Sequence, residues 1–497
     1  MKLLFVFSGH FTFFSHLLAK TLQDKYKIKD ICGIVIGGEK YYNFLKNQKE
    51  VNYKFLYNAN DSFKDYKKEK IDYKYISSIE KKYGTPTFWS SFYVDRNFID
   101  YNHFDYPHNK YSHEEILQFF QYNFKLVFNV LEKTKPDYII SEIGFMPEYI
   151  LYSIAKQKKI PFYFPRYPLR VNNRMIGNYP NPEDKYDSLT KIFRKLLKNQ
   201  VKIDKTQAIK YLNDFRKNTT TTVPKNNKER ITQSREYITL FNFLQRTFKY
   251  MYNYFYGEYK YDPLRKRPLT KTAKYIFNLK FGPYVVRKLN VFEKPAYNEK
   301  YILFPLHSQP DISTLVLGQY YLNQVALIEN IAKSMPICYK LYVKEHPTTI
   351  GIRSMSFYKR LKNIPNVKLI DSKISMRDLI KHSKLVTTIS GTGGWEAIML
   401  KKPVITFGDC FYNELDMVKK CRDITQLPSI IQDLLYGYNH DEEKLIKFLS
   451  AIFKTSYHFS LNRYMNIEEY NKNKEKILNH PDFKNVMNVL TSELKIN

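Results

Sequence analysis

Residues 385–407, LVTTISGTGGWEAIMLKKPVITF, constrain this chain more than any other stretch. Leu385–Ile389 is a short apolar run suited to a buried strand, and Ser390-Gly391-Thr392-Gly393-Gly394 is a turn. Trp395–Lys402 follows with helical character, and Val404–Phe407 is a second strand. The order strand, turn, helix, strand is the repeating unit of an open parallel sheet, whose ligands bind outside the carboxyl ends of its strands. A Gly/Ser/Thr turn that opens a helix adds free N–H groups and the positive end of a helix dipole. Upstream, Leu341–Val343 is another apolar run that ends in Lys344, Glu345, His346 and Pro347, where Pro347 forbids a further ladder bond. Both polar clusters therefore face one anion-binding crevice.

The chain begins in the same way. Leu3–Phe7, the turn Ser8-Gly9-His10, a helix over Phe14–Leu22 and a strand over Ile31–Ile36 make a βαβ start, without the GxGxxG of a dinucleotide site. His10 is either a ligand contact at a strand end or a surface turn histidine. Tyr57–Phe104 is aromatic, charged and irregular. A helix over Glu114–Glu132 leads to the strand Asp137–Ser141 with Glu142 at its end, a candidate general base or equally a capping acid, and then to a helix over Glu148–Lys156 and a strand over Phe162–Phe164. The second half repeats the pattern: Tyr301–Leu306, with His307 and Asp311 after it, then a helix over Gln319–Ser334 and Lys340–Val343. Helices over Gln426–Tyr436, Glu443–Phe453 and Lys474–Leu494 close the chain.

These segments predict an α/β fold with two Rossmann-like doubly wound domains facing a cleft. The expected divisions are a first α/β domain at 1–184, a basic aromatic helical insert at 185–300, a second α/β domain at 301–440, and C-terminal helices at 441–497 that return to the first domain. The chain has 497 residues, 43% of them apolar, and carries 80 basic against 48 acidic residues for a formal charge of +32. That balance favours anionic partners such as activated sugars, acidic glycans, anionic lipid or nucleic acid, although AT-rich coding also enriches Lys and Asn. Cys32, Cys338, Cys410 and Cys421 have no CxxC spacing, which speaks against zinc or a disulfide framework and for a cytoplasmic setting. No stretch approaches the ~20 apolar residues of a spanning helix. The segment 237–256, YITLFNFLQRTFKYMYNYFY, followed by Lys260, Arg265, Lys266 and Arg267, suits either a helix lying on an anionic inner membrane or an interdomain helix packed on the core.

The site candidates fall at three strand ends. His346 is a donor to a leaving phosphate, with Lys344 as a phosphate partner and Pro347 shaping the loop. Ser390, Gly391, Thr392 and Gly393 offer N–H and hydroxyl donors, and Glu396 would hydrogen-bond ribose or cap its own helix. Asp311 is a general base toward an acceptor hydroxyl, or a helix N-cap, and His307 stands beside it. Without HExxH, or DxD at a strand end, no metal or cofactor is expected, and no GxSxG elbow supports a hydrolase.

The runs PLHSQPDISTLVLGQYYLNQ, LYVKEHP and TTISGTGGWEAIMLKKPVITFGDCFY resemble the bacterial capsular polysaccharide biosynthesis proteins, GT-B-type glycosyltransferases that include the β-Kdo transferases. The His-Pro pair also resembles the motif of bacterial sialyltransferases in which the histidine binds the phosphate of a CMP-sugar. The resemblance spans about Tyr301–Tyr412. It implies phosphate binding by His346 with Pro347 and by Ser390, Gly391 and Thr392, and catalysis or acceptor positioning by Asp311. The implied activity is metal-independent transfer of a sugar, preferably from a CMP-activated ulosonic acid such as Kdo, to a glycan or lipid-linked acceptor. Alternatives are a UDP-sugar 2-epimerase, a CDP-polyol phosphotransferase-like enzyme, or a basic membrane- or nucleic-acid-binding protein; nucleic acid is not the expected partner.

Overall fold

The computed structural model describes residues 1–61, 65–84, 87–95, 98–100, 108–109, 111–141, 146–178, 187–217, 240–256, 269–309, 311–459 and 467–496. Two parallel sheets organise them, each the centre of a Rossmann-like α/β unit, and the fold is GT-B-like. In the first unit, β1 (Lys2–Ser8), α1 (Thr12–Asp24), β2 (Asp30–Ile36), β3 (Phe55–Asn58), α2 (His113–Thr134), β4 (Tyr138–Ile140), β5 (Phe162–Pro168) and β6 (Arg174–Asn178) follow in the chain. The sheet runs β6-β5-β4-β1-β2-β3 and is parallel except for β6, which returns antiparallel along β5. Period-two alternation explains why it is covered on both faces. Leu4, Val6 and Ile34 enter one core with α2, while Leu3, Phe5, Phe7 and Val35 enter another with α1. β3 lies at the start of the segment whose aromatic, charged texture reads as irregular; Phe55, Leu56 and Tyr57 are all half-buried at a sheet edge, so no alternation marks them.

Between the sheets come α3 (Asp187–Leu197), α4 (Thr206–Arg216), α5 (Leu240–Phe255) and α6 (Leu269–Lys288). In the second unit, β7 (Tyr301–Pro305), α7 (Gln324–Ser334), β8 (Lys340–Lys344), β9 (Val367–Ile370), β10 (Leu385–Thr388), α8 (Thr392–Met399), β11 (Val404–Thr406) and β12 (Val418–Lys420) form an all-parallel sheet in the order β9-β8-β7-β10-β11-β12. The strand order reverses between β7 and β10, which is the switch point where such sheets open a ligand crevice. Tyr301, Leu303, Tyr342 and Val386 pack on one face, and Ile302, Phe304, Leu341 and Val343 on the other.

Several elements differ from the sequence reading. The helix expected over Gln319–Ser334 is a 3₁₀ turn, Gln319–Tyr321, followed by α7, because the Asn323 side chain caps a new helix by accepting from the Ala326 N–H. The helix expected at Trp395 starts at Thr392, which puts Thr392 and Gly393 in its first turn. α3 and α4 do not stand apart as an insert: Phe193, Leu196, Leu212 and Phe215 share a core with Trp395 of α8 and with Leu445, Phe448 and Leu449 of α9 (Glu442–Thr455). The chain then crosses to the first unit. Tyr457–His458, β13, pairs antiparallel with Arg174–Met175 of β6, and the Arg174 side chain donates to Ser456 Oγ and the Phe453 carbonyl. α10 (Ile467–Asn479) and α11 (Pro481–Glu493), broken by His480-Pro481 where one helix is expected, pack Ile477, Phe483, Val486 and Leu490 into the α1 side of the first sheet.

Candidate functional site

The carboxyl ends of β7, β8 and β10 are adjacent because the three strands are parallel neighbours, and His307, His346 and Ser390 each stand two residues past their strand's end. His346, one residue beyond Glu345 at the end of β8, is half-buried. Its Nδ1 accepts the Thr348 N–H at 3.2 Å and lies 2.8 Å from Thr348 Oγ1, which in turn donates to Ser308 Oγ after β7 at 3.0 Å. An Nδ1 that accepts a backbone N–H leaves the proton of the neutral ring on Nε2. His346 is thereby set as a donor, the polarity that a phosphate oxygen needs.

Beneath it lies a network that the sequence reading passes over. Glu345 is buried, and its Oε1 accepts from the His346 N–H at 2.6 Å, from Thr349 Oγ1 at 2.9 Å and from Arg353 Nε at 3.2 Å, while Oε2 accepts from the Tyr358 hydroxyl at 2.6 Å. Arg353 Nη2 also donates to the His307 carbonyl at 2.8 Å, which joins the ends of β7 and β8. Burial and the Glu345 charge push the Tyr358 hydroxyl up, so it stays a donor. The signal for this network was an acid directly before His-Pro with an arginine eight positions on. That signal is faint because the two are linked only by a loop.

His307 is buried. Its N–H donates to Gln324 Oε1 at 2.8 Å, and its Nε2 accepts the Ser390 N–H at 3.3 Å and lies 3.2 Å from Thr388 Oγ1. Burial, and then the positive fields of His346 and Arg353, push it down to about 3, so it is neutral in the native fold. It clips the end of β7 to the turn after β10. That turn is tight: a Cβ on Gly391 would come within 2.8 Å of Thr388 Oγ1 and 3.0 Å of His307 Nε2. The Tyr412 hydroxyl holds the Gly391 carbonyl at 2.6 Å, and Gly391 caps α8 without any side-chain acceptor at the helix N-terminus. Uncapped first-turn N–H groups at a switch point are an anion-binding arrangement.

The other candidates fall as follows. Lys344 is buried, with Nζ donating to the Ser372 carbonyl at 2.8 Å, which ties down the loop after β9. Pro347 begins the loop that carries Thr348. Glu396 lies one turn into α8, where its charge acts on the buried Tyr211 of α4. Asp311 opens the helical turn Ile312–Leu315, its carbonyl accepting from the Thr314 and Leu315 N–H groups. Leu315 is buried in the core of the first unit with Phe88 and Phe92, so Asp311 stands where the second unit passes into contact with the first. His10 is in the 3₁₀ turn Gly9–Phe11 after β1, and its side chain, like the whole of Glu142, lies outside the described residues. The structure thus brings His307, His346, Ser390 and Gly391 together.

A family model described as "Capsule polysaccharide biosynthesis protein" matches residues 202–418, which include α4 and the strands β7 to β11 of the second sheet. Over residues 202–418 this chain is similar to the capsule polysaccharide biosynthesis proteins. The capsule-synthesis match starts about a hundred residues before the motifs that carry the resemblance, in agreement with the packing of α4 on α8. Among curated proteins, FixF of Sinorhizobium fredii (strain NBRC 101917 / NGR234) is 34% identical over 115 residues, 22% of this chain and 26% of FixF, so the chain spans about a quarter of the relative that it matches. Among solved structures, the Thermosulfurimonas dismutans KpsC β-Kdo 2,4 transferase aligns at 15% identity and a TM-score of 0.34, covering 64% of this chain and 79% of that one. The Neisseria meningitidis UDP-GlcNAc 2-epimerase bound to UDP-GlcNAc aligns at 14% and 0.24, covering 91% and 98%. These structural likenesses are too slight to assign a reaction to this chain.

Proposed function

We propose that the protein is a metal-independent GT-B glycosyltransferase of surface polysaccharide synthesis. Its second unit binds a nucleotide-activated sugar, preferably a CMP-activated ulosonic acid such as Kdo, and its first unit binds a glycan or lipid-linked acceptor. The observation that carries this reading is the pairing of His346, whose Nδ1 is occupied by the Thr348 N–H, with the uncapped N-terminus of α8 at the switch point. Both supply N–H donors, and donors fixed before the reaction stabilise the charge that gathers on a departing phosphate without reorganising. The family match over residues 202–418 supports the same reading.

In the proposed transfer, the phosphate leaves toward His346 Nε2 and the α8 amides, and Asp311, at the passage between the units, positions or deprotonates the acceptor hydroxyl. Lys344 has a smaller part than its place in the sequence suggests, since its ammonium is engaged by a backbone carbonyl. Titration calorimetry with CMP and with UDP tests the reading. CMP should bind more tightly than UDP, and His346→Ala should abolish most of that affinity. Failure of both nucleotides to bind, or undiminished binding by His346→Ala, would sink it.

A further inference from the structure

α5 turns a row of large apolar side chains toward solvent. Phe241, Leu244, Phe248, Met251, Tyr252 and Phe255 are all exposed, Phe241 and Phe248 at 74% and 71%. Their spacing places them within an arc of about 100° on the helix. A face of this kind usually turns to the core, and here it does not. α6 adds Phe277, Tyr284, Val285 and Leu289, also exposed. Residues 240–256 and 269–290 together hold seven basic residues and no acidic one, and Lys249, Lys274 and Lys288 are exposed.

We infer that α5 and α6 form an interfacial surface that docks the protein on an anionic bilayer, with aromatic side chains at the level of the acyl boundary and lysines on lipid phosphates. Three observations select this occupant. No described helix is long and apolar enough to cross a membrane, so the helices lie on the bilayer rather than span it. A second copy would bring the exposed Lys249, Lys274 and Lys288 against their own like charges with no acid on either helix to offset them, which repels. A nucleic acid would meet an apolar centre, where phosphates and bases find no partners.

α6 is joined to the crevice by close packing. Gly282 of α6 lies so close to Gly351, five residues after His346, that a Cβ on it would stand 2.4 Å from the Gly351 carbonyl oxygen. Val286 is buried against the second sheet, and Arg287 pairs with Asp371 at 2.7 and 3.1 Å. Docking through α6 therefore places the lipid on the helix that packs against the loop after His346. The inference stands apart from the proposed reaction, because it needs neither a donor nor turnover.

Flotation of the full chain with phosphatidylglycerol-containing vesicles and with pure phosphatidylcholine vesicles tests it. Binding to the anionic vesicles should exceed binding to the neutral ones by about tenfold and weaken as salt is raised. Phe248→Glu with Met251→Glu should lower anionic-vesicle binding by about tenfold or more while CMP titration and thermal unfolding stay unchanged, since both side chains are exposed. As a variant that keeps the apolar face, Phe248→Trp should show a blue-shifted emission on anionic vesicles. Equal flotation with both lipids, unaltered flotation of the double variant, an unshifted tryptophan, or a dimer that the double variant dissolves would overturn the inference.

Discussion

Arg353 lies against Glu345 at 3.2 Å with the two side chains only 0% and 1% exposed, and the pair sits directly under the His346 backbone. A buried ion pair adds little over apolar packing, yet losing one partner strands the other charge. Arg353→Leu should therefore cost about 3–5 kcal/mol in chemical denaturation. Arg353→Leu combined with Glu345→Gln should recover part of it. A single-variant loss below ~1 kcal/mol would show that the network is not what holds the β8 loop.

Thr348 sets the tautomer of His346 through its N–H and approaches the same Nδ1 with its hydroxyl at 2.8 Å. Thr348→Val keeps the backbone bond and removes the hydroxyl. CMP affinity should fall by about 0.5–1.5 kcal/mol, the usual worth of one such bond, with thermal stability nearly unchanged. Thr348→Ser should restore the affinity. Equal binding by Thr348→Val and the parent chain in calorimetry would remove the hydroxyl from the account.

Gly391 has no room for a methyl group between Thr388 and His307. Both neighbours are buried, so neither can swing away. Gly391→Ala should destabilise the fold by about 1–3 kcal/mol, as overpacking does, and weaken nucleotide binding by displacing the α8 N-terminus. Denaturation midpoints together with CMP titrations measure both effects. A variant that binds as well as the parent would mean that the turn does not form the anion site.

His307 gives a pH dependence with a definite sign. Its folded value is lowered from 6.5 to about 3, so between these limits the unfolded chain binds a proton that the folded chain does not. The stability it contributes is complete above pH 6.5 and is lost as the pH falls toward 3. His307→Gln should flatten the slope of unfolding free energy against pH in this window, measured by urea titrations at successive pH values. An unchanged slope would place the acid sensitivity elsewhere.

β7, β8, β10 and β11 were legible because their apolar runs are short, bounded by Gly and Pro, and buried on both faces, whereas the edge strands β9 and β12 were not read as strands. His346, Ser390 and Gly391 were legible because strand direction alone puts them at one edge. The role of His307 was not, since only the fold shows that its ring closes on Ser390, 83 positions away. Nor could the sequence separate the two readings of residues 240–255: helical periodicity marks an apolar face, but what covers that face is a tertiary fact. The surroundings of Lys344 were hidden for a related reason, because the loop after β9, whose Ser372 carbonyl accepts from its ammonium, lies 28 positions away.

Phe14 and Phe13, close to the beginning of the chain, pack against Phe483 and Tyr470 near its other end, at ring separations of 5.6 Å in both cases. For a nascent polypeptide this reverses the usual order of events. The unit translated first cannot complete its core until residues 467–493 have left the ribosome, by which time the second sheet has had its full set of strands available. During synthesis the α1 side of the first sheet remains an open apolar surface that calls for chaperone protection, and a premature stop between α9 and α10 would leave the second sheet covered on both faces while stripping Ile477, Phe483, Val486 and Leu490 from the first.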